Sequence, residues 1–457
     1  MRFTTKKIRI IFFLCGIISA ALYLLFVLLN PPEGSTELYM FIYFEAFIVF
    51  GFGWFLLKRT EDENEKFSFS SPLLRFTELF AKKIRIKNNS VNNVVFPLII
   101  IISGLLFRII LFNTDPTTSD DVYRYVWEGK VLLHGHNPFT TPPADSALIN
   151  LQDDVFEKVT YKDIPAIYPP AVQFSFVAAY IFFGESLTGL RIIFLFCEFL
   201  TMIFLLKLFD YYKKDLRLIY LYAWLPLPIM EYFINVHLDP VAIVFTLMFI
   251  YFTEKKHIFL SAASLALAFL SKLLPVLLLP LIIKRYTVKQ LLVFFTFFIS
   301  VVFLFYFPFI MEEPDVFRAL AGYLSKWEFN GSVFNLLKGF IDNGETVRMI
   351  CAAALTISII MVAAFYKNLI NGAFAVFLLV IIFSTTLFPW YLGWISALNP
   401  FTGFYSAGSL LFTINFSNFS VLAPEWKEFS FVLIAEYIPF YTLLLYDLRR
   451  KFTEQNN

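Results

Sequence analysis

The feature that most constrains this chain is a succession of apolar runs, each near the length of a membrane-crossing helix, set apart by short charged stretches. A helix needs about 20 predominantly apolar residues to cross a bilayer. The composition leaves little alternative: 59% of the 457 residues are hydrophobic and the mean hydropathy is +0.70, more apolar surface than a soluble core of that length can hide. Lipid must act as solvent for the remainder. The 60 phenylalanines and 23 tyrosines fit that setting, because aromatic rings fill lipid-facing surface and tyrosine sits well at the headgroup level. The cysteines Cys15, Cys197 and Cys351 all fall inside apolar runs, so neither a disulfide framework nor a thiolate metal site is implied.

Charge placement sets the expected topology, since basic residues gather on the cytoplasmic side. The basic start followed by an apolar run at 8–29 resembles a signal peptide, but the run is long enough to span and no small-residue cleavage site ends it; it reads as an uncleaved first helix. A second run at 38–57 completes a hairpin. The stretch 58–93, with Lys82, Lys83, Arg85 and Lys87, is expected in the cytoplasm. A third helix at 94–112 then delivers the chain into a long acid-rich loop, 113–186, on the outer face. Lys213, Lys214 and Arg217, the run Glu254-Lys255-Lys256, Lys284 with Arg285, and the terminal Arg449, Arg450 and Lys451 all read as cytoplasmic. Alternation between these points gives an all-α polytopic membrane protein of roughly 12 to 14 transmembrane helices with both termini inside. Residues 1–93 form an N-terminal hairpin and linker, and 94–457 the main transmembrane domain. The apolar segment 258–283 is expected as two short, proline-interrupted helices meeting near Lys272. A second outer loop is expected at 309–345.

The outer loop contains SDDVYRYVWEGKVLLHGHNPF at 119–139. Val122, Tyr125, Val126, Leu132 and Leu133 recur at helical spacing, which predicts an amphipathic helix lying at the membrane surface. Ser119 is the expected N-cap, with Asp120 and Asp121 at the positive end of the helix dipole. The bland reading is that the two acids cap the helix and that Arg124, one turn from Asp120, is its ion-pair partner. Against that reading stand the polar cluster His134, His136 and Asn137, the motif IYPPAVQ at 167–173 that closes the loop around Tyr168, and NVHLDP at 235–240, where His237 and Asp239 meet at a helix end. Charges that converge on one membrane face are functional candidates.

Together with SKLLPVLLLP at 271–280, WEFNGSVF at 327–334 and FPWYLGW at 388–394, these motifs resemble the GT-C class of membrane glycosyltransferases. The resemblance is greatest to the bacterial polyprenyl-phosphate-mannose-dependent alpha-mannosyltransferases, and it runs from about Ser119 to Trp394. It implies a GT-C-like bundle with interfacial helices in large outer loops. The implied reaction moves a sugar, mannose or another hexose, from a lipid phosphate to an acceptor hydroxyl with inversion. The general base maps to Asp120 or Asp121, with a lean to Asp120 as the first acid of the family's pattern. Proton removal by such a carboxylate typically contributes about 10² to 10⁴ in rate.

The departing phosphate needs positive charge. Arg124 can supply bidentate contacts, and Lys272, between two apolar half-helices, must either snorkel or meet an anion. His237 and His134 or His136 are further candidates. Trp327, Asn330 and Trp390 can bind sugar by stacking and hydrogen bonding, or, for the tryptophans, form part of an interfacial aromatic belt. No cofactor is expected; a divalent metal at Asp120 and Asp121 would lack further ligands. The expected partners are a lipid-linked sugar donor, a glycan or glycolipid acceptor and membrane lipids, with no nucleic acid, and the expected place is the cell inner membrane. The competing classes are a transporter or flippase and a polymerase for lipid-linked saccharides. A transporter would place its polar groups near mid-membrane in paired interrupted helices, whereas these lie at one face.

Overall fold

The computed structural model describes residues 5–31, 34–59 and 92–456. Among these the chain is helical, with no β-structure beyond isolated bridges from Phe329 and Asn330 to Thr386. The basic stretch with Lys82, Lys83, Arg85 and Lys87 lies outside the described residues.

Helices of seven residues or more are numbered in chain order: α1 (Thr5–Leu29), α2 (Thr36–Arg59), α3 (Asn92–Ile110), α4 (Asp121–Leu133), α5 (Pro170–Phe183), α6 (Thr188–Tyr211), α7 (Pro226–Phe233), α8 (Asp239–Glu254), α9 (Ile258–Phe269), α10 (Val288–Glu312), α11 (Arg318–Lys326), α12 (Ser332–Lys338), α13 (Gly344–Phe365), α14 (Leu369–Phe383), α15 (Gly393–Thr402), α16 (Tyr405–Thr413) and α17 (Ser430–Asn456). Seven helices among the described residues are long and apolar enough to cross a membrane: α1, α2, α3, α6, α10, α13 and α17. The protein is an all-α polytopic membrane protein.

The count of roughly 12 to 14 runs resolves into these seven and a set of shorter apolar helices. Proline breaks two of these runs, because it removes a backbone donor and clashes with the preceding turn. The run 218–234 is cut at Leu225 by Pro226, and 258–283 breaks after Phe269 into a 3-10 segment, Leu274–Ile282, that holds Pro275 and Pro280. The expected break near Lys272 is therefore present.

The helices α3 and α6 are central, each with 56% of its apolar window buried, whereas only 17% of the α10 window is. Two arginines that enter the bundle have their donors satisfied. Arg108 and Glu198 are both fully buried and bonded at 2.6 Å, with Tyr222 donating to the other Glu198 oxygen at 2.5 Å. Arg191, near the start of α6, donates to the carbonyls of Phe112 at 2.6 Å and Phe233 at 2.9 Å, closing the C-terminal ends of α3 and α7.

The bundle has two chemically distinct ends, separated by the 24 residues of α6, about 36 Å. One end gathers Glu254, Arg285, Lys256 and the Tyr211 and Tyr212 hydroxyls, with Arg285 and Glu254 at 2.8 Å. The other gathers the start of α6, the acid-rich segment before α4 and the loop between α7 and α8.

Candidate active site

Helix α4 forms where the periodicity predicts it, with Val122, Tyr125, Val126, Trp127, Glu128, Gly129 and Val131 buried. It lies along α5, and Gly129 sets their closeness: a Cβ there would stand 2.6 Å from the Phe176 carbonyl oxygen. Two buried polar groups lock the pair, since Gln173 of the IYPPAVQ motif donates to Glu128 at 2.6 Å. The N-cap of α4 is Asp120 rather than Ser119, and the Asp120 side chain makes no capping bond; the Ser119 hydroxyl only receives the Asp121 N–H at 3.4 Å.

Asn235 anchors the segment leading into α4. Its Oδ1 accepts the N–H groups of Thr117 and Thr118, both at 3.1 Å, and its Nδ2 donates to Thr118 Oγ1 at 2.7 Å and to Glu231 at 3.1 Å. The NVHLDP motif thus fixes where Asp120 and Asp121 stand.

The two acids then diverge. Asp120 is exposed, whereas Asp121 turns toward the bundle and retains 35% of its side-chain surface. Asp121 Oδ2 lies 3.5 Å from the Tyr168 hydroxyl, which donates to it, and 4.0 Å from His237 Nδ1. Burial, and then the neighbouring Asp120, push the Asp121 carboxyl up to about 6, against the opposing pull of Lys272, Tyr168 and Arg124. Beside it, Lys272 Nζ bonds Asp239 Oδ1 at 2.6 Å and lies 4.4 Å from the centre of the Tyr391 ring. The Tyr391 and Tyr323 hydroxyls share a hydrogen bond at 2.9 Å, which brings α11 of the second loop over the same site. His237 is buried and stacks on Trp390, with ring centres 3.6 Å apart and 17° between planes.

The geometry therefore brings together Asp121, Tyr168, His237, Asp239, Lys272 and Trp390 from five separated motifs. It leaves other candidates elsewhere. Arg124 does not pair with Asp120: its Nε bonds Glu128 at 2.6 Å, and its other nitrogens reach the carbonyls of Tyr161 and Ile164. Its donors are spent on holding 160–164 against α4. His134 and His136 lie past the far end of α4, with His134 about 20 Å from Asp121 along the helix. Asn137 is buried and donates to the Phe309 carbonyl at 3.2 Å. Asn330 takes up a left-handed conformation, φ 53°, and donates to Glu436 at 2.8 Å while its carbonyl accepts from Tyr437 at 2.6 Å. Trp327 packs edge-on against Tyr161, at 5.1 Å, and so ties the second outer loop to the first.

Two site residues escape the motif reading. Glu231, fully buried on α7, accepts from the Tyr39 hydroxyl at 2.7 Å and lies 3.6 Å from His237 Nε2. Its sequence signal is a lone acid in an apolar run. Tyr39 carries no comparable signal, being one aromatic of many on α2. Among the described residues no group of three or more His, Cys, Asp or Glu side chains is arranged to hold a metal ion.

Comparison with known proteins agrees with the motif resemblance. No curated protein matches the chain. The family model for the N-terminal domain of alpha-(1->6)-mannopyranosyltransferases matches residues 100–287, a stretch that includes α4, α5, Asn235, Asp239 and Lys272. Over that stretch the chain is similar to those enzymes, a likeness that supports a glycosyltransferase of the mannosyltransferase type in a chain with seven membrane-crossing helices among its described residues.

Proposed function

We propose that the chain transfers a mannosyl residue from a polyprenyl-phosphate donor to the hydroxyl of a mannose-bearing glycan or glycolipid, with inversion, at the outer face of the cell inner membrane. Asp121 is the general base in this reading. The observation that carries it is the placement of Asp121: a partly open carboxylate, raised toward neutrality, that accepts from the Tyr168 hydroxyl and stands beside the Lys272–Asp239 pair and the His237–Trp390 stack. A base poised near the working pH is an efficient one.

The acceptor hydroxyl gives its proton to Asp121 as its oxygen bonds the anomeric carbon, and the bond from that carbon to the phosphate oxygen breaks with its electron pair on the phosphate. Lys272 supplies charge for that phosphate, because only part of its donor capacity is spent on Asp239. Asp239 is buried and held by Lys272, so it does not offer a second free nucleophile, which supports single displacement over a retaining route. The basic end around Arg285 favours a cytoplasmic assignment for that end, and hence an outer one for the site. The segments 1–93 and 94–457 are then a hairpin with linker and a catalytic domain.

The test uses the full chain in lipid nanodiscs, with polyprenyl-phosphate-[³H]mannose as donor and octyl α-mannopyranoside as acceptor. Asp121→Asn is expected to lower the rate by about 10² to 10⁴ and Asp120→Asn by far less. Wild-type turnover in Asp121→Asn removes the base assignment, and transfer only from a nucleotide-linked sugar removes the donor.

A further inference from the structure

His237 has an unusual position for a fully buried imidazole. Neither ring nitrogen has a hydrogen-bond partner, yet each faces a carboxylate: Nδ1 lies 4.0 Å from Asp121 Oδ2 and Nε2 lies 3.6 Å from Glu231 Oε2. Its plane is fixed by the Trp390 stack. Glu231 is fixed in turn, with Tyr39 donating to one oxygen at 2.7 Å and Asn235 to the other at 3.1 Å.

We propose that His237, with its tautomer set by Glu231, is a positioning residue that takes over the proton collected by Asp121. The proposal rests on Asp121 being the base. In its ionised form Glu231, whose carboxyl burial raises to about 7, accepts on both oxygens and faces Nε2, and so favours the Nε2–H form, which leaves the Nδ1 lone pair directed at Asp121. Once Asp121 holds the acceptor's proton, a small closure brings that O–H onto Nδ1. The proton moves from Asp121 to His237, the imidazolium is stabilised by Glu231, and Asp121 is again a carboxylate. Before turnover, burial and then the Lys272 ammonium hold the imidazole neutral. The other groups facing Asp121 are Asp120, Arg124, Tyr125, Tyr161, Tyr168, Lys272 and Tyr323. Those facing Glu231 are Tyr39, Tyr43, Tyr232, Asn235 and Asp239.

The chain contains four histidines, so ¹⁵N-histidine labelling resolves their imidazoles, with His237→Gln assigning the signal. The wild type is expected to show His237 as the neutral Nε2–H tautomer at pH 7, and Glu231→Gln, which keeps the side-chain shape, to lose that fixed tautomer. In the transfer assay, Glu231→Gln and His237→Gln are each expected to lower kcat about tenfold with little change in KM, to shift the midpoint of the acid limb, and to cost nothing further in an Asp121→Asn background. An Nδ1–H tautomer, a protonated His237 at pH 7, or an unchanged kcat and pH profile in both variants overturns the proposal. Full activity in Asp121→Asn alone would instead remove the base reading beneath it.

Discussion

Lys272 and Asp239 each stand where a lone charge would be costly: Asp239 is 1% exposed and the Lys272 side chain 13%. Removing one partner leaves the other uncompensated, which typically costs about 3–5 kcal/mol, whereas neutralising both is far milder. Lys272→Met is therefore expected to lower the thermal unfolding temperature in detergent, and Lys272→Met with Asp239→Asn to recover most of the loss. Neither variant is expected to be active, because the phosphate loses its cation in both. The Asp121 carboxyl gives a pH signature. As its pKa is raised to about 6, the base is protonated below that pH and ionised above it, so kcat/KM is expected to rise through about pH 6 and then level. A midpoint near 4 would show that the titrating base is not Asp121. The residue types at these positions were visible in the sequence. Their pairings were not: Arg124 stands one turn from both Asp120 and Glu128, and only the fold gives it to Glu128.

Helix α4 is the element on which the site depends, and its closeness to α5 hangs on Gly129. Gly129→Ala forces a Cβ against the Phe176 carbonyl. Overpacking of that kind costs about 1–3 kcal/mol, and the expected result is a displaced α4 with reduced transfer and faster amide hydrogen exchange over 121–133. Unchanged exchange would show that the contact relaxes freely. The helix was legible in advance because an amphipathic pattern encodes its own buried face. The broken helix around Lys272 was legible as well, through its prolines. What the pattern could not indicate is that Asn235, more than 100 residues away in sequence, holds the backbone of Thr117 and Thr118. Hydrogen bonds between distant segments leave no periodicity.

At the scale of the molecule, the opposition between a basic end and an acid-rich end predicts a sidedness that labelling can read. All three cysteines are buried, so the background for a membrane-impermeant maleimide is expected to be low. A cysteine at Ile149, which is 60% exposed in the acid-rich loop, is expected to react in intact cells, and one at Val288, 76% exposed beside the basic end, only after permeabilisation. Reaction of Val288→Cys in intact cells would reverse the topology. The sequence by itself determined the solvent, the helical class and the segregation of charge, because each follows from local composition and the length of an apolar run. Tertiary structure decided which acid faces the bundle, which partner each cation takes, and that Glu231 and Tyr39 stand behind His237. Those outcomes depend on distances between segments tens to hundreds of residues apart, and such distances are set only when the helices pack.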